Sequence, residues 1–525
     1  MEKGCWKVDD NDEGPVTSTF YKRDKHHKFS HELWTELYKS KNTGSKAIYI
    51  DIEDEEQREE NRVYSRWFEL PDLLLEKIFS YLSIRDKYYA SLVCKSWYRA
   101  FYLPYVWSQF VLEDTTLTRG RFNYYSGWQY VLDHLRTQSC LSQVGRNFRQ
   151  LTFEPMLNFY NLYEFMNMIS WCTEQQAISN TNPEFEAGRN IHTLKFTFPC
   201  NMTNRDDTER IRLFGTGGKL LAALKRLMSN LKKLKRLELI DLMLDPKEAQ
   251  FLLDEVCEKC CTTLQTLSVI NTTRVQYELF HVGVFLNLQV LYISPQNLSD
   301  DVIELLSHTN IQHIHILQNR YTPNDINIKP VGYKTWKSAR KNNPTFRVHL
   351  QIETLKEKPL IWQQGAPVSS ILYDSPHIKV REDSVMTAVE FYKDTLRVFG
   401  HKNIPRFHRS KSFDERVDGC LMYLVRQCYY LTTLVVTERI STATALLLAY
   451  TARNLKYLFI RGNAVIIRCD WPQSPEWSDE FYTWLKINSR SYELVQKEIS
   501  QMMGHRWEFL TDKQFKRLHC NLRQL

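Results

Sequence analysis

Few stretches of this chain have residue types that could do chemistry, and most fail on spacing. Gly215-Thr216-Gly217-Gly218-Lys219 ends a glycine-rich turn in a lysine, as loops that cradle phosphate at a helix start do. Leu213 stands where such a loop needs its first glycine, and Leu220 where a magnesium-binding Ser or Thr belongs. The segment therefore reads as a flexible turn opening a helix over 220–228. Cys257, Cys260 and Cys261 could begin a zinc site, but structural zinc takes four ligands and no second pair lies at a plausible interval. They read as small buried residues leading into the next strand. His26, His27 and His31 cluster without a cysteine or carboxylate pair at ligand spacing. No HExxH and no G-x-S-x-G occurs, so the expectation is a chain with no catalytic residues, no metal and no cofactor.

Two basic runs remain. Lys219, Lys225, Arg226, Lys232, Lys233, Lys235 and Arg236 put seven positive charges into 18 residues with only neutral residues between. Such a run can neutralise phosphates, attract an acidic peptide, or be the wet side of a helix. Lys334, Trp336, Lys337, Arg340 and Lys341 form a second cluster that adds an aromatic ring and carries the same alternatives. The formal net charge of +8 over 525 residues permits an acidic or nucleic-acid partner without demanding one.

The elements that position these residues are clearer. With 43% hydrophobic and 25% charged residues the chain should fold as several domains or one elongated array. Its longest apolar run, 443–450, is far short of the ~18 residues of a membrane span. Met1-Glu2-Lys3 leads into acidic residues rather than an apolar signal region, and the 12 cysteines are scattered. A soluble intracellular protein, cytoplasmic and/or nuclear, with reduced thiols is expected.

Within 65–110 the spacing predicts two amphipathic helices. Pro71 opens the first, along which Leu74, Leu75, Ile78, Phe79 and Leu82 recur at helical intervals. Ser83, followed three residues later by Asp86, starts a second that carries Tyr89, Leu92, Val93, Trp97 and Phe101 and ends near Pro104. So small and apolar a unit cannot cover its own surface and needs a partner. Leu70-Pro71, Leu74, Ile78-Phe79, Tyr81-Leu82, Asp86, Val93-Cys94-Lys95, Trp97 and Val106-Trp107 resemble an F-box position by position, departing at Tyr88-Tyr89, where a more aliphatic pair is usual. The resemblance implies docking on the Skp-type adaptor of a cullin–RING ubiquitin ligase through Leu70, Pro71, Leu74, Ile78, Phe79, Leu82, Val93, Cys94 and Trp97. It also makes Cys94 a packing thiol rather than a nucleophile.

A repeat follows. Leu-x-x-Leu-x-Leu, with substitutions, occurs at 234–239, 264–269, 288–293, 311–316, 368–373, 431–436 and 455–460, with weaker matches at 194–196 and 346–350. Successive second anchors lie 30, 24, 23 and 24 residues apart at 237, 267, 291, 314 and at 434, 458, near the ~20–29 of a leucine-rich repeat. The interval from 371 to 434 leaves room for two units and an insertion, with a strand expected at 395–398 and an exposed loop at 401–416. Each unit leaves its inner face bare without a neighbour, so the units stack. The expected fold is α/β: a helical F-box, an irregular leucine-rich-repeat solenoid with a curved parallel sheet and outer helices, and a C-terminal helical cap. Its divisions are a disordered charged region over 1–64, the F-box over 65–112, linker helices and a first repeat over 113–190, the solenoid over 191–470 and the cap over 471–525. The cap is expected to hold one long helix over 478–503, burying Phe481, Trp484, Leu485, Leu494, Ile499 and Met503, and a last helix over 511–522. F-box plus repeats resembles the substrate receptor of a Skp–cullin–F-box ligase. A nucleic-acid-binding scaffold and an F-box scaffold outside any ligase are the alternatives.

Overall fold

The computed structural model describes residues 67, 70–124, 127–156, 158–178, 186–199, 218–323, 328–354, 358–406 and 411–521. Expectations for 1–64, and for Leu213 and Gly215 to Gly217, lie outside the described residues.

Three short helices come first. Pro71 precedes α1 (Asp72–Ser80), and its carbonyl accepts the N–H of Leu74 at 2.9 Å and of Leu75 at 3.1 Å. Ser83 caps α2 (Ile84–Ser91): its hydroxyl oxygen accepts the Asp86 N–H at 3.1 Å and donates to the Asp86 carboxylate at 2.7 Å. The expected second helix does not run through to Phe101. Ser91 donates its hydroxyl to the Tyr88 carbonyl at 2.6 Å, closing the last turn of α2, and Cys94 is extended at φ −159° before α3 (Lys95–Phe101) begins. That break swings Trp97 edge-on to Phe79, with ring centroids 5.8 Å apart.

Pro104 then starts a 3₁₀ turn, Pro104–Trp107, and β1 (Gln109–Leu112) follows almost at once. The sheet thus begins well before residue 191. β2 (Thr118–Asn123) and β3 (Gly127–Leu132) form a separate antiparallel hairpin. The chain continues through β4 (Gln150–Phe153), β5 (Thr193–Thr197), β6 (Arg236–Ile240), β7 (Thr266–Ile270), β8 (Val290–Ile293), β9 (His313–Asn319), β10 (Arg347–Glu353), β11 (Val368–Asp374), β12 (Val398–His401) and β13 (Thr433–Val436). β14 (Ile440–Ser441), β15 (Tyr457–Ile460) and β16 (Val465–Ile466) complete the set among the described residues. Twelve of these strands pair in the order β1-β4-β5-β6-β7-β8-β9-β10-β11-β12-β13-β15, every pair parallel.

The leucine pattern explains the register. Leu237, Leu267, Leu291 and Ile314 stand opposite one another, as do Leu239, Val269, Ile293 and Ile316, and all are buried. Helices between the strands complete the core, as with Leu220, Leu224 and Leu227 of Lys219–Asn230 and Val302, Ile303 and Leu306 of Asp300–Ser307. Each such side chain contributes about 1.5–3 kcal/mol by leaving water. The outcome is the α/β solenoid with helical ends that the repeat implies.

Three further expectations change. The strand placed at 395–398 lies at 398–401, because the Leu396 N–H bonds the Tyr392 carbonyl at 2.9 Å and is unavailable to a ladder. The loop after it is exposed at Lys411 and Ser412 but anchored at both ends: His401, Lys402 and Arg416 are buried, and Arg416 binds Asp418 at 2.8 Å and Asp470 at 2.7 Å. The long tail helix is two, Asp479–Asn488 and Tyr492–Met503, since the Ser491 hydroxyl caps a new start by accepting the Leu494 N–H at 3.3 Å. This turns Leu494 outward and buries Val495.

The tail covers the last strand. Trp507 is buried and donates its Nε1–H to the Leu458 carbonyl at 2.6 Å, while Leu510 exchanges backbone hydrogen bonds with Ile460 and Gly462 at 2.9 Å each. Phe515 of the final helix, Asp512–Asn521, packs on Val435 beside Phe459. Trp507→Ala should cost about 3–5 kcal/mol through lost burial. Trp507→Phe should cost less, about 1–3 kcal/mol for the Leu458 carbonyl left without its donor. Urea denaturation of the three proteins checks the order.

Candidate functional site

The three N-terminal helices divide their apolar residues between two directions. Leu75 and Phe79 are fully buried and face Trp97, Phe101 and the 3₁₀ turn. Leu74, Ile78 and Tyr81, at helical spacing on the other side of α1, remain 51%, 38% and 76% exposed. Leu73 on α1 and Tyr89, Leu92 and Val93 around the end of α2 are also exposed, Val93 at 66%. Among the nine residues expected to meet an adaptor, Pro71, Leu74, Ile78 and Val93 lie on this open side, and Leu70, Leu82, Cys94 and Trp97 are half-buried. Phe79 is a correction: with no exposed surface it belongs to the interior of the unit and can touch no partner. Tyr81, Tyr89 and Leu92 are the exposed neighbours that helical periodicity did not separate from core positions.

The opposite side of the unit is fixed to the solenoid. Glu76 accepts the Tyr105 N–H at 2.6 Å, Lys87 reaches the Val106 carbonyl at 2.8 Å, and Trp107 donates to the Phe101 carbonyl at 2.6 Å. Lys87 is buried beside the Trp107 ring, and burial pushes its ammonium down to about 8. Phe110 then stacks on Phe148 and Phe165, at 4.5 and 5.4 Å.

Among the described residues, those of the remaining motifs serve packing or solvated surface. Gly218 takes a left-handed φ of +77° directly before the helix Lys219–Asn230, a conformation glycine adopts without strain. Cys260 is buried and donates to the Leu231 carbonyl at 3.3 Å, and burial pushes the Cys257 thiol up to about 12. In the first basic run Arg226 binds Glu174 at 2.6 Å and Arg236 binds Glu238 at 2.5 Å, acids from outside the run. In the second, Trp336 is fully buried and packs on Phe346, so it cannot stack on a base; Lys334, Lys337, Arg340 and Lys341 lie exposed around it.

Two polar arrays on the sheet escaped the sequence reading. Asn271, at φ +46°, donates to Asp241 at 2.8 Å and Asn319 at 2.6 Å, while Ser294 accepts its N–H at 2.9 Å. Asp241, Asn271, Ser294 and Asn319, each one to three residues past its repeat's Leu-x-Leu, were the available signal. On the sheet face opposite the leucine columns, Tyr292, His315 and His349 stack at 4.2 and 4.3 Å in exact cross-strand register. His349 bridges His313 at 3.0 Å and Ser370 at 2.7 Å.

One comparison matches the segment of the three N-terminal helices. The F-box-like family profile matches residues 67–113, which take in the three helices, the 3₁₀ turn and all of β1. No curated protein matched the chain. Two solved structures are similar at low identity. One is the crystal structure of a TLR13-ssRNA13 complex, at 11% identity, 44% of this chain, 29% of that chain and a TM-score of 0.22. The other is an internalin (inlF) from Listeria monocytogenes str. 4b F2365, at 10% identity, 61% of this chain, 76% of that chain and a TM-score of 0.22. This chain joins an F-box-like segment to a solenoid of parallel strands built on a Leu-x-Leu repeat.

The histidine row sets a pH dependence. Burial, with His313 and Arg347 nearby, lowers His349 to about 3, and burial lowers His313 and His315 as well. The unfolded chain binds protons that these rings refuse, so stability is complete above about pH 6.5 and falls as pH drops towards 3. At pH 5 His349 alone should account for about 2 kcal/mol. Urea midpoints at pH 7.5 and 5.0 should differ less in His349→Gln than in the unaltered protein; equal differences would exclude His349 as the source.

Proposed function

We propose that this protein is the substrate-recognition subunit of a Skp–cullin–F-box ubiquitin ligase. The F-box-like helices bind a Skp-type adaptor and through it cullin and RING subunits. The repeats hold a protein substrate, whose ubiquitination and proteasomal degradation follow in the cytoplasm and/or nucleus. The chain contributes no chemistry: holding a substrate beside a charged ubiquitin-conjugating enzyme raises its effective concentration and removes the entropic cost of encounter. The observation that carries this reading is the apolar side of α1 and the end of α2, left open in a segment that matches the F-box-like family. In its order of parts, with a Trp-bearing helical end near Trp507, the chain resembles F-box only protein 33, a likeness that no curated match supports.

A nucleic-acid scaffold fits less well, because Trp336 is inside the core and Arg226 and Arg236 are already in ion pairs. An F-box scaffold acting outside a ligase uses the same adaptor surface and differs in whether cullin co-purifies.

The division of apolar residues supplies the test. Leu74→Asp with Ile78→Asp should abolish co-purification with a co-expressed Skp-type adaptor while leaving the thermal midpoint within about 2 °C, since both side chains face water in the isolated chain. Phe79→Ala should instead cost about 3–5 kcal/mol of stability. Full adaptor recovery with the double aspartate would refute the assignment.

A further inference from the structure

The hairpin β2–β3 pairs with neither neighbour of the main sheet and points a distinct surface outward. Its register puts Phe122 opposite Trp128 and Gly120 opposite Tyr130 on one face, and Arg119 and Arg121 on the other. Phe122 and Trp128 meet edge to face at 5.5 Å, yet Trp128 stays 76% exposed, and Phe122, Tyr130 and Tyr124 at the turn are exposed with it. Both arginines are exposed and have no ion-pair partner among the described residues.

The backbone is equally uneven. The Asp133 N–H bonds the Leu117 carbonyl at 2.9 Å, which fixes the alternation of the ladder. The Tyr130 carbonyl and the Leu132 N–H therefore point to the outer edge of β3, where Asn158 and Asn161 bond them at 2.8–2.9 Å. On the outer edge of β2 the Thr118 carbonyl is taken by Arg136 at 3.3 Å. The N–H and C=O groups of Gly120 and Phe122 have no partner among the described residues. The edge of β3 is thus taken at Tyr130 and Leu132, and that of β2 only at its Thr118 end, which leaves Gly120 and Phe122 open.

We propose that β2 is a docking edge for an extended acidic segment of another protein, which adds as a third strand with alternating acidic and apolar side chains. The period of two sends its apolar residues over Phe122, Trp128 and Tyr130 and its carboxylates over Arg119 and Arg121. A second copy of this chain fits poorly, because antiparallel pairing of two β2 strands brings four arginines onto one face. Single-stranded nucleic acid fits poorly too, because the cations and the aromatic rings are on opposite faces. The inference rests on the hairpin alone and stands whether or not the F-box-like helices engage an adaptor.

The test is fluorescence anisotropy of the full chain with a fluorescein-labelled peptide of alternating Glu and Val. Saturable binding is expected. Arg119→Glu with Arg121→Glu should weaken it by on the order of tenfold or more and create binding to the Lys/Val counterpart. Gly120→Pro should also weaken it by removing an outward N–H; a Cβ there meets the Trp128 ring at 3.7 Å, so the hairpin accommodates it. Backbone N-methylation of alternate peptide residues should abolish binding. Undiminished binding by the charge-reversed chain, or by the N-methylated peptide, would overturn the proposal. So would a dimer held through Arg119 and Arg121, or tighter binding of a single-stranded RNA oligonucleotide lost with the same arginines.

Discussion

A sheet assembled one parallel strand at a time buries its leucine columns between neighbours, and so has an apolar face with no neighbour at each end. This constraint organises the protein. At the last strand, Trp507 binds the Leu458 carbonyl, Leu510 pairs with Ile460, and Phe515 closes over Val435. At the first strand, Trp107, Phe110, Phe148 and Phe165 form an aromatic plug that joins the three N-terminal helices to β1. The two terminal modules are in the first instance solutions to one burial problem.

They differ in what they leave uncovered. The N-terminal helices hold on to the solenoid through Lys87, Glu76 and Trp107 and spend Leu75 and Phe79 on their own interior. Leu74, Ile78 and Tyr81 then remain exposed to water. A rigid mount with an open apolar side suits a docking element, because the orientation of whatever binds is inherited by the whole array. The buried Lys87 ammonium, held to a carbonyl next to Trp107, is costly to desolvate and repays that cost only while the helices remain seated.

Much of the fold was legible in the sequence because its signal is periodic. Leu-x-Leu at repeat spacing located β6, β7, β8, β9, β11, β13 and β15, and Ser83-x-x-Asp86 located the start of α2. What was not legible depends on contacts across the sequence. Phe79 and Leu74 share a helix and a hydrophobic character; only the position of Trp97, set by the break at Leu92–Cys94, decides which is core. Trp336 reads as part of a basic surface until Phe346 is placed beside it. Leu396 has strand-like neighbours, but its N–H is claimed by Tyr392. The hairpin β2–β3 and the stack of Tyr292, His315 and His349 involve residues brought together by register, for which no local spacing gives notice.

On the function proposed above, the apolar side of α1 and the end of α2 is an interface, and the solenoid behind it stays free. Hydrogen–deuterium exchange of the full chain, alone and with a purified Skp-type adaptor, measures this directly. Slowed exchange is expected over 70–82 and 89–97, with unchanged exchange over β5 to β13. Protection confined to the repeats, or none over 70–97, would contradict it.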